Sequence, residues 1–356
     1  MRVLMTIDAV GGVWRYGVDL ARQLGQEGTP CLLLGCGPPP NAAQLQESDR
    51  LRNVMLRWSE LPLDWMVTDA AELTGVADTL VASAREWGAD LLHLNLPSQA
   101  IDIPTAIPVV VASHSCLATW WRAVKQSDLP ADRLWQQELA ARGLRRADVV
   151  MVPTASHAAA TAAVYGPLGN LRIAANATDL PTERATKEPF VLAAGRWWDE
   201  GKNAAMIDAA AAWTRWPVRM AGALTHPGAA PFMPRHAASL GALSPEAARA
   251  HMQRAAIFVS PALYEPFGLA ALEAAASGCA LVLSDIPTFR ELWDDAARFV
   301  NAMNAAAIAE AINDLAECPA ERAKLSRRAL ARAESFSLSA QAASVRQVYR
   351  EAVSRT

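Results

Sequence analysis

The sequence lacks most of the short signatures that announce a chemistry. It has no Cys-x-x-Cys pair, and Cys31, Cys36, Cys116, Cys279 and Cys318 fall at no spacing typical of a zinc site. They read as reduced, small core residues of a cytoplasmic protein. Neither His-Glu-x-x-His nor an Asp-x-Asp pair occurs, so no metal and no other cofactor is expected. Gly-x-Gly-x-x-Gly and the Walker pattern are absent as well, which counts against a nicotinamide-dependent oxidoreductase. No apolar run approaches the ~18 residues of a spanning helix. Met1–Asp8 is too short in apolar residues for a secretory signal and reads as a buried first strand. Lysine is scarce, at Lys125, Lys187, Lys202 and Lys324 only, and the net charge of −3 argues against nucleic acid as a partner.

What is present describes a globular chain of two domains. Its 356 residues are many for one core, and the 52% hydrophobic and 19% charged fractions exclude disorder. Short apolar runs alternate with alanine-rich helical stretches, the pattern of parallel sheets covered on both faces. In the first half the spacing predicts strands at Val3–Ile7, Pro30–Leu34, Val54–Trp58, Leu91–Leu94, Pro108–Ala112 and Val149–Val152. Helices are predicted at Trp14–Leu24, Asp69–Trp87 and Arg133–Arg145, with Gly25 and Gly88 stopping the first two and Asp69 capping the second. The second half restarts the rhythm with strands at Phe190–Ala194, Val218–Ala221, Ile257–Ser260 and Ala280–Ser284. Its helices fall at Asn203–Trp213, Pro245–Arg254 and Gly268–Ser277. Asp179–Pro189, polar and holding two prolines, reads as the linker. The domains are therefore expected at 1–180, completed by a last helix within 339–356, and at 181–338. Two Rossmann-like halves joined there would face each other across a deep cleft, where such folds bind ligands.

Two constellations carry chemistry. The first is Tyr264-Glu265-Pro266-Phe267-Gly268-Leu269, followed by Glu273 inside the helix that Gly268 and Leu269 open. A helix N-terminus offers unpaired N–H groups and a partial positive charge to a phosphate, and carboxylates accept from paired sugar hydroxyls. The second is Gly195-Arg196-Trp197-Trp198-Asp199-Glu200-Gly201-Lys202-Asn203, where a strand end is followed by two cations before a helix. Fixed cations stabilise charge growing on a departing diphosphate. The bland alternative is that Arg196 pairs with Asp199 or Glu200 on a surface loop.

Glu265 through Ala274 resembles the Glu-x7-Glu motif of the retaining glycosyltransferases of family four, which have the GT-B fold of two Rossmann-like domains. Asn176, Gly195-Arg196, Lys202-Asn203 and Ser284-Asp285-Ile286-Pro287-Thr288-Phe289-Arg290-Glu291 agree with it. The resemblance implies transfer of a hexosyl group from a nucleotide diphosphate sugar to an acceptor hydroxyl with the anomeric configuration retained. It assigns Arg196 and Lys202 to the leaving diphosphate, Glu265 to the transferred sugar and Glu273 to the ribose. Phe267, Gly268 and Leu269 join them as donor-binding residues. In such enzymes the loop Asp8-Ala9-Val10-Gly11-Gly12-Val13 faces the donor phosphates, so Gly12 is expected to touch the donor. His114, after the strand at Pro108–Ala112, matches a histidine set against the donor sugar.

The expected partners are a nucleotide-sugar donor and an acceptor that is a glycan, a lipid-linked molecule or a small molecule. Trp120, Trp121 and Trp135 lie among Arg122, Lys125, Arg133, Arg142, Arg145 and Arg146, a mixture found at membrane interfaces and acceptor sites. Asp128, Asp132 and Glu138 dilute the charge, so these tryptophans are expected to pack inside, with peripheral contact at the inner face of the cell membrane as the alternative. An epimerase, a phosphorylase or a non-catalytic nucleotide-binding protein on the same scaffold are the rival readings.

Overall fold

The computed structural model of the chain describes residues 1–181, 185–226 and 231–355. The chain divides into two compact units, the first formed by Met1–Asn176 and the segment from Leu338 onward, the second by Ala177–Ser337. The linker expected at Asp179–Pro189 lies partly outside the described residues.

The first unit runs β1 (Val3–Asp8), α1 (Gly12–Gln26), β2 (Cys31–Cys36), α2 (Ala42–Asp49), β3 (Val54–Trp58), α3 (Val76–Trp87) and β4 (Leu91–Leu94). It continues through β5 (Val109–Ala112), α4 (Leu117–Val124), α5 (Leu134–Arg146), β6 (Val149–Val152), α6 (Ala155–Tyr165) and β7 (Leu171–Ile173). The strands form one parallel sheet in the order β3-β2-β1-β4-β5-β6-β7. Every residue of β1, β2, β4, β5 and β6 is buried, which is why these strands read as unbroken apolar runs. Alternate residues of β1 enter different cores. Val3, Met5 and Ile7 meet α1, while Leu4 joins Leu32, Leu34, Leu80 and Leu144 on the other face.

The second unit runs β8 (Glu188–Ala194), α7 (Ala204–Ala211), β9 (Val218–Ala221), β10 (Ala238–Gly241), α8 (Pro245–Arg254), β11 (Ala255–Ser260) and α9 (Leu269–Ala276). It closes with β12 (Ala280–Ser284), α10 (Pro287–Trp293), β13 (Ala297–Val300), α11 (Ala305–Glu317) and α12 (Pro319–Ala333). Its parallel sheet has the order β10-β9-β8-β11-β12-β13. The last helix, α13 (Leu338–Arg355), belongs to the first unit. Its apolar stripe of Ala342, Val345, Val348, Tyr349 and Ala352 enters the core that holds Val3, Met5 and α1. Arg172 of β7 donates to both carboxylate oxygens of Glu351, at 2.9 and 2.5 Å, and so ties this helix to the sheet edge.

Three local expectations need correction. Gly25 does not stop α1, which continues to Gln26; a Cβ there would lie 2.3 Å from the Arg52 carbonyl oxygen, so the glycine serves close packing. Asp69 caps a short 3-10 turn at Ala70–Leu73 through a capping box with Glu72. Gly75, at φ 85°, then separates that turn from α3, so Asp69–Trp87 is not one helix. Asn203 has a left-handed backbone and precedes α7 instead of opening it, and α7 ends at Ala211, short of the expected Trp213.

Candidate active site

In each sheet the chain first winds outward in one direction, then returns to the middle and winds the other way. The reversal lies between β1 and β4 in the first unit and between β8 and β11 in the second. Loops leaving the carboxyl ends of strands at such a reversal diverge and leave a crevice, the usual ligand position in open α/β sheets. Both expected constellations follow strands of this kind.

In the second unit the loop after β8 holds Arg196 and Lys202, and the loop after β11 holds Glu265. Three contacts stitch these loops together. The Leu263 N–H donates to the Gly201 carbonyl at 2.8 Å. Asn203 Nδ2 donates to the Pro261 carbonyl at 3.0 Å, and it also reaches the Ala302 carbonyl beyond β13 at 2.8 Å. Lys202 Nζ donates to Glu265 Oε2 at 2.6 Å, and these two side chains are only 20% and 17% exposed. A pair shielded to that extent is screened less than one at the rim, and each partner holds the other in one geometry.

Arg196 is more open, at 46% exposure. Its Nη2 lies 3.4 Å from Asp199 Oδ2 and its guanidinium carbon 5.3 Å from the centre of the Trp198 ring. The ion pair read as the bland alternative is therefore formed. Asp199 also accepts from the Gly201 N–H at 2.9 Å, so its carboxylate is shared between the cation and the turn. Trp197 anchors the loop from below, buried and donating its indole N–H to the Ala221 carbonyl at 2.9 Å.

Gly268 immediately precedes α9 and has φ 91°, a left-handed conformation; a Cβ there would meet Phe289 at 2.8 Å and Glu265 at 3.3 Å. Leu269 is half-buried at the first position of α9, and Glu273 is half-buried one turn further in. Phe267 does not present its side chain as a donor-binding group. Its ring is 3% exposed and packs edge-on against Phe336, with centroids 5.6 Å apart, so only its backbone belongs to the loop. The Ser284 hydroxyl donates to the Ala262 carbonyl at 2.5 Å and fastens the end of β12 beneath the same loop.

In the first unit Gly12 is exposed and opens α1, a helix without a side-chain cap, so its first N–H groups are left to solvent or a ligand. His114 follows β5 and is half-buried. Its Nε2 lies 2.8 Å from Asn95 Oδ1, and Tyr16 stands edge-on to its ring at 4.4 Å. Burial, with a further contribution from His157, lowers its pKa to about 4. His93, at the end of β4, is fully buried, with Nδ1 2.6 Å from the Tyr349 hydroxyl and Nε2 3.4 Å from the Tyr16 hydroxyl. Burial lowers its pKa to about 3. Asn95 and Tyr16 were missed by sequence reasoning because neither belongs to a recognisable motif. The sequence signals were the place of Asn95 just after the apolar run Leu91–Leu94 and that of Tyr16 in the first turns of the predicted helix Trp14–Leu24.

Trp120, Trp121 and Trp135 are not packed inside as expected; all three are half-buried. α4 is eight residues long and turns the small Ala118 and Thr119 inward, leaving Trp120 and Trp121 edge-to-face at 6.1 Å, with Lys125 Nζ 5.9 Å from each ring. Among the described residues no group of three or more His, Cys, Asp or Glu could hold a metal ion, and no helix is long and apolar enough to cross a membrane.

Two parallel-sheet units with paired reversal points define the fold class, and comparison with known proteins identifies the family. The family described as Glycosyltransferase Family 4 matches residues 10–181, and that described as Glycosyl transferases group 1 matches residues 233–332. The chain belongs to these glycosyltransferases and has their GT-B fold. A comparison with curated protein sequences finds no match. Sucrose-phosphate synthase from Thermosynechococcus elongatus is similar over 100% of both chains, with a TM-score of 0.80 and 16% identity. Anabaena HepE, solved in complex with UDP and glucose, is similar over 98% of this chain and 99% of its own, with a TM-score of 0.77 and 15% identity. A glycosyltransferase from Rickettsia africae covers 100% of this chain and 99% of its own, with a TM-score of 0.72 and 13% identity. At such identities these likenesses speak to the fold alone.

Proposed function

We propose that the protein transfers a hexosyl group from a nucleotide diphosphate sugar to an acceptor hydroxyl, with retention of anomeric configuration and without a metal. The observation that carries this reading is the Lys202–Glu265 contact of 2.6 Å at the β8/β11 reversal, with Arg196 on the same loop and α9 opening directly behind it. A cation and a carboxylate side by side suit a ligand that has a phosphate next to a hydroxyl-bearing ring. As the bond from the anomeric carbon to the diphosphate oxygen breaks, the negative charge grows on the diphosphate. Arg196 and Lys202 stabilise that charge through fixed positive groups, the work a metal does elsewhere, and the N–H groups of Gly268 and Leu269 add to it. Glu265 orients the sugar by accepting from its hydroxyls, and Glu273 does the same for the ribose. The reaction then proceeds by attack of the acceptor on the face the diphosphate leaves, with a phosphate oxygen taking the acceptor's proton. Anabaena HepE has been solved with UDP-glucose, which makes that compound the first donor to test. The acceptor is a glycan, a lipid-linked molecule or a small molecule.

Proton NMR of the first product tests the reading. With UDP-glucose and a panel of other nucleotide sugars, the product anomer is expected to match the donor's, and transfer is expected to continue in excess chelator. An inverted anomeric signal overturns retention, and activity lost on chelation and restored by manganese overturns the cation-only account.

A further inference from the structure

Asn95 stands in the loop after β4, and its side-chain amide has one orientation available. Nδ2 donates to the Thr6 carbonyl at 2.5 Å, and a carbonyl oxygen only accepts. The Asn95 backbone N–H donates to the Thr6 hydroxyl at 2.9 Å, and that hydroxyl donates onward to Gln99 Oε1 at 2.7 Å. Thr6, Asn95 and Gln99 are all buried, so turning the amide over would set two carbonyl oxygens against each other away from water. Oδ1 therefore faces His114 Nε2, 2.8 Å away. Because Oδ1 can only accept, the ring proton sits on Nε2. Tyr16, edge-on at 4.4 Å, braces the ring from the side. Among the described residues no hydrogen bond reaches the other ring nitrogen, Nδ1. With a pKa of about 4 the ring is neutral at pH 7, and Nδ1 carries a lone pair.

We infer that Asn95 is a positioning residue that locks His114 in its Nε2–H form, so that Nδ1 accepts a hydrogen bond from a ligand hydroxyl and repels an anionic oxygen. At this point the first unit selects for a hydroxyl, because a phosphate oxygen would meet lone pair with lone pair. That the hydroxyl belongs to a sugar rests on the glycosyl-transfer reading, whereas the tautomer stands without it.

Long-range proton–nitrogen NMR on protein labelled with nitrogen-15 histidine tests the lock, with the His114 signals assigned by their absence in His114→Gln. At pH 7 wild-type His114 is expected to show a protonated Nε2 and a bare Nδ1. Asn95→Leu removes the acceptor, so the nitrogen shifts should move toward the average of two exchanging tautomers. The loss of one oriented hydrogen bond should also lower kcat/KM for the donor by about tenfold. UDP-glucose is expected to shift the Nδ1 resonance, and inorganic phosphate is not. An Nδ1–H ring in the wild type, or a Leu variant with unchanged nitrogen shifts, overturns the proposal. A response of Nδ1 to phosphate and not to UDP-glucose overturns the selection for a hydroxyl. A protein that transfers sugar from no donor while His114 remains Nε2–H overturns the glycosyl-transfer reading alone.

Discussion

The two sheets carry different chemistry at the same topological place. At the β1/β4 reversal the groups are mostly polar and uncharged, namely His93 and His114 with pKa values lowered to about 3 and 4, Asn95, Tyr16 and Thr6, beside the buried Asp8 carboxyl that accepts from the Val10 N–H. At the β8/β11 reversal they are ion pairs, Lys202 with Glu265 and Arg196 with Asp199. The difference follows the cost of desolvation. Neutral groups can be fully buried once each hydrogen bond is satisfied, whereas charges taken out of water need both a partner and residual solvent. His93 is accordingly 0% exposed, and the Arg196 side chain 46%. One fold thus provides a rigid neutral acceptor suited to hydroxyls and a set of cations suited to phosphate.

The largest effect expected from this contrast is on stability in acid. His93, His114 and His157 have pKa values lowered from 6.5 to about 3, 4 and 4, chiefly by burial. Below about pH 6.5 the unfolded chain binds protons at these residues that the folded chain does not. Their neutral burial is therefore fully tolerated above that pH. Stability falls as the pH drops toward 4, by about 1.4 kcal/mol per pH unit for each histidine. All three lie in the first unit. Hydrogen exchange at pH 7 and pH 5, corrected for intrinsic rates, should show β1, β4 and β5 losing protection ahead of β8 and β11. Equal losses in both units would break the contrast.

Kinetics should break the other half of it. If the cations carry the leaving charge, Arg196→Ala and Lys202→Ala should each slow turnover by roughly 10²–10³, as removal of a preorganised electrostatic group does. A variant with near-normal turnover would return its residue to the role of a surface ion pair. Arg196 is the more exposed of the two, so it is the sharper test.

The smallest effect separates the two glutamates. Glu273→Ala should weaken binding of the bare nucleoside diphosphate by about 1.5–3 kcal/mol, the value of hydrogen bonds to a charged acceptor. Glu265→Ala should not weaken it, since it frees the Lys202 ammonium, but it should impair sugar transfer. Calorimetric titration beside a transfer assay reads both. Equal loss of diphosphate affinity in the two variants would show that the carboxylates do not divide the ligand between them.

How much was legible varied with local physics. The helix at Pro245–Arg254 could be bounded to the residue because Ser244 caps it and Pro245 occupies its first turn. Central strands announced themselves as apolar runs. β10 and β13 did not, since each pairs with a single neighbour at a sheet edge and keeps exposed polar residues such as Ser239 and Arg298. β7, α2, α4, α6 and α10–α12 also went unread. The indoles of α4 were assigned to the interior on residue type alone, yet which face of a short helix turns inward depends on what packs against it.

The sequence by itself determined the two-domain α/β class, because buried parallel strands and alanine-rich helices impose their own periods on the chain. It also determined the presence of two cations and one carboxylate in glycine-containing loops and a second carboxylate in the helix that follows, together with a likeness to a family. Only the tertiary structure decided which of these groups meet. Lys202 and Glu265 are 63 positions apart, and Asn95 and His114 are 19 apart. Neither separation has a local period that would bring its residues together. Lys202 and Glu265 come together because a parallel sheet that reverses its winding sets the carboxyl ends of the non-consecutive strands β8 and β11 side by side, and Asn95 and His114 because the consecutive strands β4 and β5 pair in parallel. The protonation of His114 is likewise a tertiary property: it follows from an amide whose direction is set by Thr6, a residue on another strand.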